Sequence, residues 1–515
     1  MKKILFSLIV ICMMCIVSTT SVWAIAVRPI IEIDHPVVMA DKEVTVYVLV
    51  QFRVEKLKED PSRPRPKLNL ALVIDRSGSM ESKGKLEYAT KASNILVDSM
   101  KPSDRLAVVE YDDQITLLWP SSLLEYPEMI KNLIDTLTPR GNTNLTGGMM
   151  QGVEEVLRNL DRNYLNRVLL LSDGLANTGV TNPSQIKRLV RAARRKGIHI
   201  STMGLGADYD EDLMQGIAQN AGGNYYFIES PTQMSRIFEQ EMSILFTTVA
   251  KEVVVRFLAG GIVKNIDVFG FPFEMSGNET NVEQEDFYSG ETRSLLLRLE
   301  LEAQKEGNVN LGEFIMSYTD VTDEERKEIR KVLTLTATTD ASEVEKEENM
   351  KVTIEATLIE ADKKHQDSVR LYEEGKKLQA MKNIENLEKE LSDKNIKLSD
   401  MQITKKIEAL KMESEEMNQA DESEEQRAIY LKTSKERLYQ SQKGKRGKSL
   451  LKEGDYGYEV EILQEALQLR GFYTGLVDGL FTSEVTTAVK ELQKQEALTV
   501  DGIAGPATLK ALGIY

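Results

Sequence analysis

The sequence predicts an α/β domain with a mostly parallel central sheet, a flanking antiparallel β domain, a helical spacer and a small all-α C-terminal domain. Three observations lead to this prediction. Buried strands alternate with amphipathic helices across residues 67–250. Alternating apolar and polar residues indicate strands on both sides of that stretch. From residue 341 onward, charged residues, Gln and Met replace most of the aromatic ones.

The α/β pattern begins with an apolar strand at 68–74 and a helix at 85–100. Further strands are predicted at 105–111, 167–171, 198–204 and 224–228, and further helices near 145–160, 183–196, 210–219 and 231–249. Strands that alternate with helices in this way form a mostly parallel sheet with helices on both faces. We therefore expect one α/β domain over residues 67–250.

The two flanks, residues 26–66 and 251–340, are rich in strands. The first contains EIDHPVV and KEVTVYVLVQF, and the second contains VVVRF, SLLLRLEL and GEFIMSY. Neither flank has enough strands for a sandwich of its own. We expect them to pair across the inserted α/β domain into one antiparallel β domain.

Residues 341–447 carry many oppositely charged pairs at i,i+4 spacing, as in DSVRLYEEGKKLQAMKNIENLEKEL, which predicts a charged spacer of two or three long solvated helices. The basic segment QKGKRGKS that follows is typical of a flexible linker. The last domain, residues 451–515, contains VDGLFTSEVTTAV and VDGIAGPATLKAL, so an Asp-Gly turn precedes a short helix twice.

Residues 1–24 have the pattern of a secretory signal peptide. Lys2 and Lys3 precede an apolar run, a polar break and small residues before the expected cleavage point. An uncleaved anchor is the alternative, and no later segment is apolar enough to span a membrane. Both cysteines, Cys12 and Cys15, lie in this segment, so the rest of the chain uses no disulfide or thiol chemistry. The expected location is the periplasm or cell envelope.

The net charge of −16 becomes −18 when Lys2 and Lys3 are removed with the signal peptide. A chain this acidic is poorly suited to bind nucleic acid or anionic lipid through its overall charge. Protein and cell-wall partners are therefore the classes to consider.

Oxygen-bearing side chains follow two predicted strands and occupy a third loop. DRSGS offers Asp75, Ser77 and Ser79, RGNTN offers Thr143, and LLSDG offers Asp173. Ligands in open α/β sheets bind at the carboxyl ends of strands, and hard oxygen donors select hard cations. Two carboxylates and three hydroxyls favour Mg²⁺, with Mn²⁺ and Ca²⁺ as alternatives, and leave a coordination position for an outside ligand. Alone, D-x-S-x-S is more typical of a helix N-cap.

The segments ALVIDRSGSM, GNTNL and RVLLLSDG together resemble the three loops of the metal-ion-dependent adhesion site of von Willebrand factor A domains. The resemblance covers essentially all of residues 67–250 and implies a Rossmann-like fold. It implies that Ser77, Ser79 and Thr143 bind the ion directly. It also implies that Asp75 and Asp173 bind it directly or through water, and that a carboxylate of a protein partner completes the shell.

Residues 451–515 resemble the small peptidoglycan-binding domain of many cell-wall enzymes, in LKEGDYGYEVEILQEAL, RGFYTGLVDGLF and VDGIAGPATLKAL. The chain departs from the usual pattern at Thr482, Val485 and Leu492, which affects affinity more than fold. The aromatic residues able to offer flat faces to sugar rings are Tyr456, Tyr458, Phe472 and Tyr473. A helical module that packs or dimerises is the alternative.

Other patterns argue against an enzyme. His35, His199 and His365 lie in three different predicted units, so neither a Ser-His pair nor a zinc cluster is expected. The acidic run Asp208, Asp210 and Asp212 lacks the Gly and Glu of a calcium loop and favours helix capping.

The function expected from the sequence is that of a non-catalytic, metal-dependent adhesion or scaffold protein tethered to peptidoglycan. The alternatives are a regulatory or maturation subunit of an envelope machine, which would use the metal site to engage its partner, and a cryptic cell-wall hydrolase.

Overall fold

The computed structural model describes residues 27–54, 65–230, 233–302, 304–442, 451–455, 458–512 and 514. The predicted signal peptide and nearly all of the predicted linker lie outside these residues. No helix within the described ranges is both long and apolar enough to cross a membrane.

The strands and helices are numbered in chain order. The strands are β1 (Val27–Ile33), β2 (Val37–Met39), β3 (Val44–Val54), β4 (Lys67–Asp75), β5 (Arg105–Tyr111), β6 (Ile115–Leu123), β7 (Tyr164–Ser172), β8 (Ile198–Leu205), β9 (Tyr225–Ile228), β10 (Thr248–Ala259), β11 (Val263–Phe269), β12 (Phe273–Ser276), β13 (Glu279–Glu283), β14 (Phe287–Tyr288), β15 (Thr292–Leu301), β16 (Gly307–Asp320) and β17 (Arg326–Thr338). The helices are α1 (Lys85–Ser99), α2 (Pro127–Ile134), α3 (Leu145–Arg158), α4 (Pro183–Arg194), α5 (Glu211–Ala221), α6 (Met234–Phe246), α7 (Ala341–Lys346), α8 (Met350–Glu373), α9 (Lys377–Leu398), α10 (Met401–Gln419), α11 (Glu424–Gln442), α12 (Tyr458–Leu469), α13 (Ser483–Gln495) and α14 (Pro506–Ala511).

The central sheet of the α/β domain has the order β6-β5-β4-β7-β8-β9. Every pair in it is parallel except β5 with β6, which is antiparallel and places β6 at the edge. The chain moves from β4 first to β5 on one side and later to β7 on the other. The prediction of a mostly parallel α/β sheet is confirmed, and its topological switch point lies at β4.

Strand β4 is buried on both faces, which explains its continuous apolar sequence. Leu70 and Leu72 face the core formed with α1 and α6, whereas Ala71 and Val73 face the core formed with α3, α4 and α5. Helical layers thus cover both faces of β4.

The strands on either side of the α/β domain form one β domain of two packed sheets. β3 lies between β1 and β15, and β2 pairs with β17 in parallel through three residues, whereas the other described pairings of these sheets are antiparallel. The shared core contains Val48 and Phe52 from before the α/β domain and Leu297 and Phe314 from after it. The predicted antiparallel β domain that flanks the α/β domain is confirmed.

Residues 341–442 are helical as predicted, but the helices are more numerous and less solvated than the charge pattern indicated. Helices α8 to α11 enclose an apolar core that includes Ile384, Leu391 and Leu410. One side of α8 covers Leu49 of the outer face of β3. The apolar residues are spread among charged ones, so their common core becomes visible only once the helices pack. We call residues 341–442 the helical domain.

The C-terminal domain packs α12, α13 and α14 around an apolar core. Its two Val-Asp-Gly turns are built alike. Gln464 donates to Asp478 Oδ1 at 2.7 Å and to the Leu480 carbonyl oxygen at 3.0 Å. Gln493 donates to the equivalent atoms of Asp501 and Ile503 at 2.9 and 2.8 Å. The sequence repeat is therefore also a structural repeat.

Candidate metal centre

The three predicted loops meet above the switch point of the central sheet. Asp75 is the last residue of β4, Asp173 follows β7, and Thr143 precedes α3. β4 and β7 are neighbours in the sheet, so their carboxylates emerge side by side. Crevices at such switch points are the usual ligand sites of open α/β sheets.

The hydroxyls and carboxylates contact one another directly. Ser77 Oγ lies 3.1 Å from Ser79 Oγ, and Ser79 Oγ donates to Asp173 Oδ1 at 2.7 Å. Asp75 Oδ1 accepts a 2.8 Å hydrogen bond from the main-chain nitrogen of Ser77. A Cβ atom on Gly174 would lie 3.1 Å from Thr143 Oγ1 and 3.5 Å from Ser79 Oγ. The structure thus gathers all five predicted side chains around one point.

Main-chain hydrogen bonds join the loop after β4 to the loop that precedes α3. The Gly78 nitrogen donates to the Gly141 carbonyl at 3.1 Å, and the Arg140 nitrogen donates to the Arg76 carbonyl at 2.8 Å. Gly141 has a φ of +69°, and a Cβ there would come within 2.1 Å of Asp113 Oδ1. Only glycine fits this close approach without strain.

Asp75 is a buried carboxylate with no cationic side chain beside it in the described part of the chain. Burial, with the nearby charge of Asp173 adding to it, raises the pKa of Asp75 to about 6. A carboxylate in this position is costly unless a cation neutralises it. The oxygen donors and this uncompensated charge fit a divalent ion held by Asp75, Ser77, Ser79, Thr143 and Asp173.

Two neighbours of the site were not predicted from the sequence. Ser172 donates to Asp75 Oδ2 at 2.8 Å, and Lys85 Nζ lies 2.6 Å from Asp173 Oδ2. The position of Ser172, directly before Asp173 at a strand end, was a usable signal. Lys85 is the first residue of α1, and nothing in the local sequence indicates that it faces Asp173.

The site opens to solvent on the side away from the sheet. Asp75 and Asp173 are fully buried, whereas Ser79, Gly78 and Asn142 are exposed. Leu175, directly after the Asp173-Gly174 turn, is also largely exposed. A protein surface can therefore reach the hydroxyl side of the site.

Other candidate groups remain separate from this centre. Asp210 caps α5 by accepting a 2.9 Å hydrogen bond from the Leu213 nitrogen, as predicted. His35 pairs with Asp34 in the β domain, and His199 pairs with Asp286 between the β and α/β domains. His365 lies in the helical domain.

The aromatic residues predicted to bind sugar rings do not form an open surface in the described part of the C-terminal domain. Tyr473 is only 7% exposed, and its hydroxyl donates to the Leu476 carbonyl, so its ring is not open to a sugar. Phe472 packs partly against the same core. Tyr456 and the side chain of Tyr458 lie outside the described part of the chain. Among the described side chains of this domain, Leu469 and Leu476 are instead the most exposed apolar ones, Leu476 at 80%.

An α/β domain with oxygen side chains gathered at its switch point defines the class of von Willebrand factor type A domains, which commonly bind a divalent metal there. Residues 69–240 match the family model for the von Willebrand factor type A domain, and residues 456–512 match the model for a putative peptidoglycan binding domain. The chain carries both domains.

Curated relatives support the same assignment. The chain is 29% identical to YfbK of Escherichia coli strain K12 over 48% of this chain and 44% of that protein. It is 28% identical to inter-alpha-trypsin inhibitor heavy chain H3 of Rattus norvegicus over 36% of this chain and 22% of that protein. The chain thus matches less than half the length of these relatives.

Two solved structures share the fold over most of the chain. A von Willebrand factor type A protein from Catenulispora acidiphila has a TM-score of 0.61 at 14% identity, covering 81% of this chain and 97% of that one. The ArnB paralog VWA2 from Sulfolobus acidocaldarius has a TM-score of 0.54 at 16% identity, covering 80% of this chain and 99% of that one. The likeness therefore extends beyond the α/β domain.

Proposed function

We propose that this chain is a non-catalytic scaffold or adhesion protein of the cell envelope that binds protein partners through a divalent metal and is attached to peptidoglycan by its C-terminal domain. The observation that carries the proposal is the open oxygen set, in which Asp75 is buried without a cationic partner among the described residues. The match to von Willebrand factor type A domains, whose members are generally interaction proteins, supports it.

The chemistry of the site indicates the class of partner. The five side chains bring two negative charges, and three of the donors are neutral hydroxyls. A divalent cation held by such a set keeps a position for one more ligand, and a hard anionic oxygen suits it. We infer that the partner offers an Asp or Glu side chain to the metal.

Calorimetric titration of the full, metal-free chain with Mg²⁺ and with Mn²⁺ tests the metal site. We expect one saturable binding event in the wild type and none in Asp75→Ala. Asp208→Ala removes an exposed acidic group near the site and should leave binding intact. Equal binding by the wild type and Asp75→Ala would mean that the ion binds elsewhere.

Attachment to the cell wall rests on the match of residues 456–512 to a peptidoglycan binding domain. Sedimentation of the full chain with insoluble peptidoglycan tests it. We expect the wild type to sediment with the peptidoglycan. Leu476→Asp places a charge at an exposed apolar position and should remain largely in the supernatant. Val332→Asp makes the same kind of change on the exposed side of β17 and is the control. Wild-type protein that stays in the supernatant contradicts the attachment.

Capture of partners from envelope extract, with and without a chelator, then separates two roles. Surface or matrix proteins bound only when metal is present would support adhesion or scaffolding. Components of one envelope machine would instead support the regulatory or maturation role. Release of muropeptides from purified wall by the chain alone would contradict the non-catalytic assignment.

A further inference from the structure

Lys85 is a buried cation directly beside the metal site. It is the first residue of α1, its side chain is 5% exposed, and its Nζ lies 2.6 Å from Asp173 Oδ2. The main chain of Gly206 packs against the end of this side chain, because a Cβ there would lie 3.4 Å from Nζ. The nearest other carboxylate oxygen, Asp208 Oδ2, lies 3.8 Å from Lys85 Nζ, and the Asp208 side chain is mostly exposed. Lys85 therefore forms its close ion pair with Asp173.

The two oxygens of Asp173 have different partners. Oδ1 accepts the hydrogen bond from Ser79 Oγ on the side of the hydroxyls, and Oδ2 accepts from Lys85 on the opposite side. Lys85 therefore leaves the Oδ1 side of the carboxylate to the metal-binding set. The lysine and a cation do not compete for the same oxygen.

The charge balance follows from this arrangement. Asp75 and Asp173 carry two negative charges, and Lys85 reduces their sum to a single negative charge. A divalent cation then leaves the site with one net positive charge instead of none. Charges this close and this buried interact strongly, because little water screens them.

We propose that Lys85 sets the ligand preference of the metal site: it weakens binding of the free divalent cation and strengthens binding of a carboxylate to the loaded site. The inference rests on the proposed metal-dependent function. With Lys85 in place, a partner's carboxylate neutralises the loaded site, whereas without it the carboxylate would leave a net negative charge. Lys85 thus acts on the metal and the partner through Asp173 and the local charge, as a positioning residue.

Calorimetric titration of the full, metal-free chain with Mn²⁺ tests the first half. Lys85→Met removes the charge but keeps the length of the side chain, and Lys85→Gln also keeps a hydrogen-bond donor for Asp173 in case the first variant does not fold. We expect both to bind Mn²⁺ at least about tenfold more tightly than the wild type.

Lys83→Met is the matched control. Lys83 lies two residues before Lys85, just ahead of α1, is 69% exposed and pairs with Glu425 at the surface. Its removal changes the formal charge equally, but solvent screening should limit the change in Mn²⁺ affinity to less than about threefold. A similar gain in Lys83→Met and Lys85→Met would attribute the effect to overall charge and overturn the proposal.

Acetate binding to the Mn²⁺-loaded chain, followed by the relaxation of water protons, tests the second half. We expect acetate to bind the Lys85 variants at least about threefold more weakly than the wild type. Unchanged Mn²⁺ and acetate affinities in the Lys85 variants overturn the inference but leave the metal site itself intact. If the Lys85 variants bind Mn²⁺ and the wild type does not, the result supports the inference and counts against the proposed function. If neither the wild type nor the variants bind Mn²⁺, the result contradicts both the inference and the proposed function.

Discussion

Arg236 on α6 donates a 2.8 Å hydrogen bond from Nη1 to Oδ1 of Asp501 in the C-terminal domain, and both side chains are buried. The same guanidinium donates to the carbonyl oxygens of Ile503 and Thr499. Gln493 contacts Asp501 and Ile503 from within the C-terminal domain. The second Val-Asp-Gly turn is therefore a point of contact between this domain and the α/β domain.

Arg236→Ala should release the C-terminal domain from the α/β domain. Truncating one partner of a buried, hydrogen-bonded charge pair costs about 2–5 kcal/mol of association free energy. Hydrogen exchange should become at least tenfold faster at the amides of residues 499–503, since about 1.4 kcal/mol corresponds to a factor of ten. The radius of gyration from solution scattering should also increase.

The control for this change is Arg470→Ala, which removes an exposed ion pair with Glu496 inside the C-terminal domain. It should leave exchange at residues 499–503 unchanged. Equal exchange rates in Arg236→Ala and the wild type would show that other contacts, such as the pair of Lys452 with Glu436 on α11, hold the domain in place.

Metal binding should stabilise the α/β domain measurably. A ligand present at a hundred times its dissociation constant adds about 2.7 kcal/mol to the free energy of unfolding. We expect Mg²⁺ to raise the melting temperature of the wild type relative to chelator, and Ser77→Ala and Thr143→Ala to lose most of that increase. Thr136→Ala, at an exposed residue in the turn after α2, should keep it. The same increase in all four proteins would mean that Mg²⁺ acts outside the proposed site.

The pH dependence of the metal-free chain should depend on Asp75. Its folded-state pKa of about 6 lies above the unfolded value of about 4, so the folded chain binds the extra proton between these values. Stability therefore falls as the pH rises from about 4 to 6, and the full penalty of about 3 kcal/mol is present above pH 6.

Asp75→Asn should remove this penalty because the amide carries no charge. Without metal, the variant should unfold at a higher temperature than the wild type at pH 7.5 and at a similar temperature at pH 4. It should gain nothing from Mg²⁺. Asp208→Asn, at an exposed acid near the site, is the control and should follow the wild type at both pH values. A variant that is less stable than the wild type at pH 7.5 would contradict the assigned cost of burying Asp75.

The sequence predicted the α/β sheet well because its central strands carry continuous apolar runs. The strand at 105–111 was predicted with its observed bounds. Four of the five predicted oxygen donors lie at or just after the ends of β4 and β7, whereas Thr143 lies in the loop before α3. Strand β6 was missed because it is only half buried and contains Pro120. Helix α2, which follows it, was missed as well. An antiparallel edge strand of this kind lacks the apolar run that identifies the central ones.

The contacts between distant segments could not be predicted in the same way. The pairing of Lys85 with Asp173 joins residues 88 positions apart, and nothing in the local pattern distinguishes Lys85 from a solvated lysine. The helical domain was expected to be solvated because its charged residues outnumber its apolar ones. Its burial depends on surfaces of other domains, such as Leu49 on β3, which the sequence of the helices does not reveal.

The helical domain should therefore contribute to the stability of the α/β domain, and Tyr439 on α11 tests this. Its side chain is 2% exposed in the core that includes β8, α4 and α5, and its ring lies edge-on to Tyr225 at 5.9 Å. Removing a buried aromatic side chain costs about 3–5 kcal/mol. Tyr439→Ala should lower the free energy of unfolding of the α/β domain by about this amount. The measurement is hydrogen exchange at the amides of β8 and β9 in increasing concentrations of denaturant.

Tyr439→Phe separates packing from hydrogen bonding. The hydroxyl lies 3.4 Å from Glu285 Oε1, a long contact, so its removal should cost about 1 kcal/mol or less. Tyr126→Ala, at a tyrosine that is 58% exposed, should change stability by less than about 0.5 kcal/mol. If Tyr439→Ala leaves the exchange of β8 and β9 unchanged, residues 341–442 are a spacer after all. If it accelerates that exchange, the helical domain is a structural support for the domain that carries the candidate metal site.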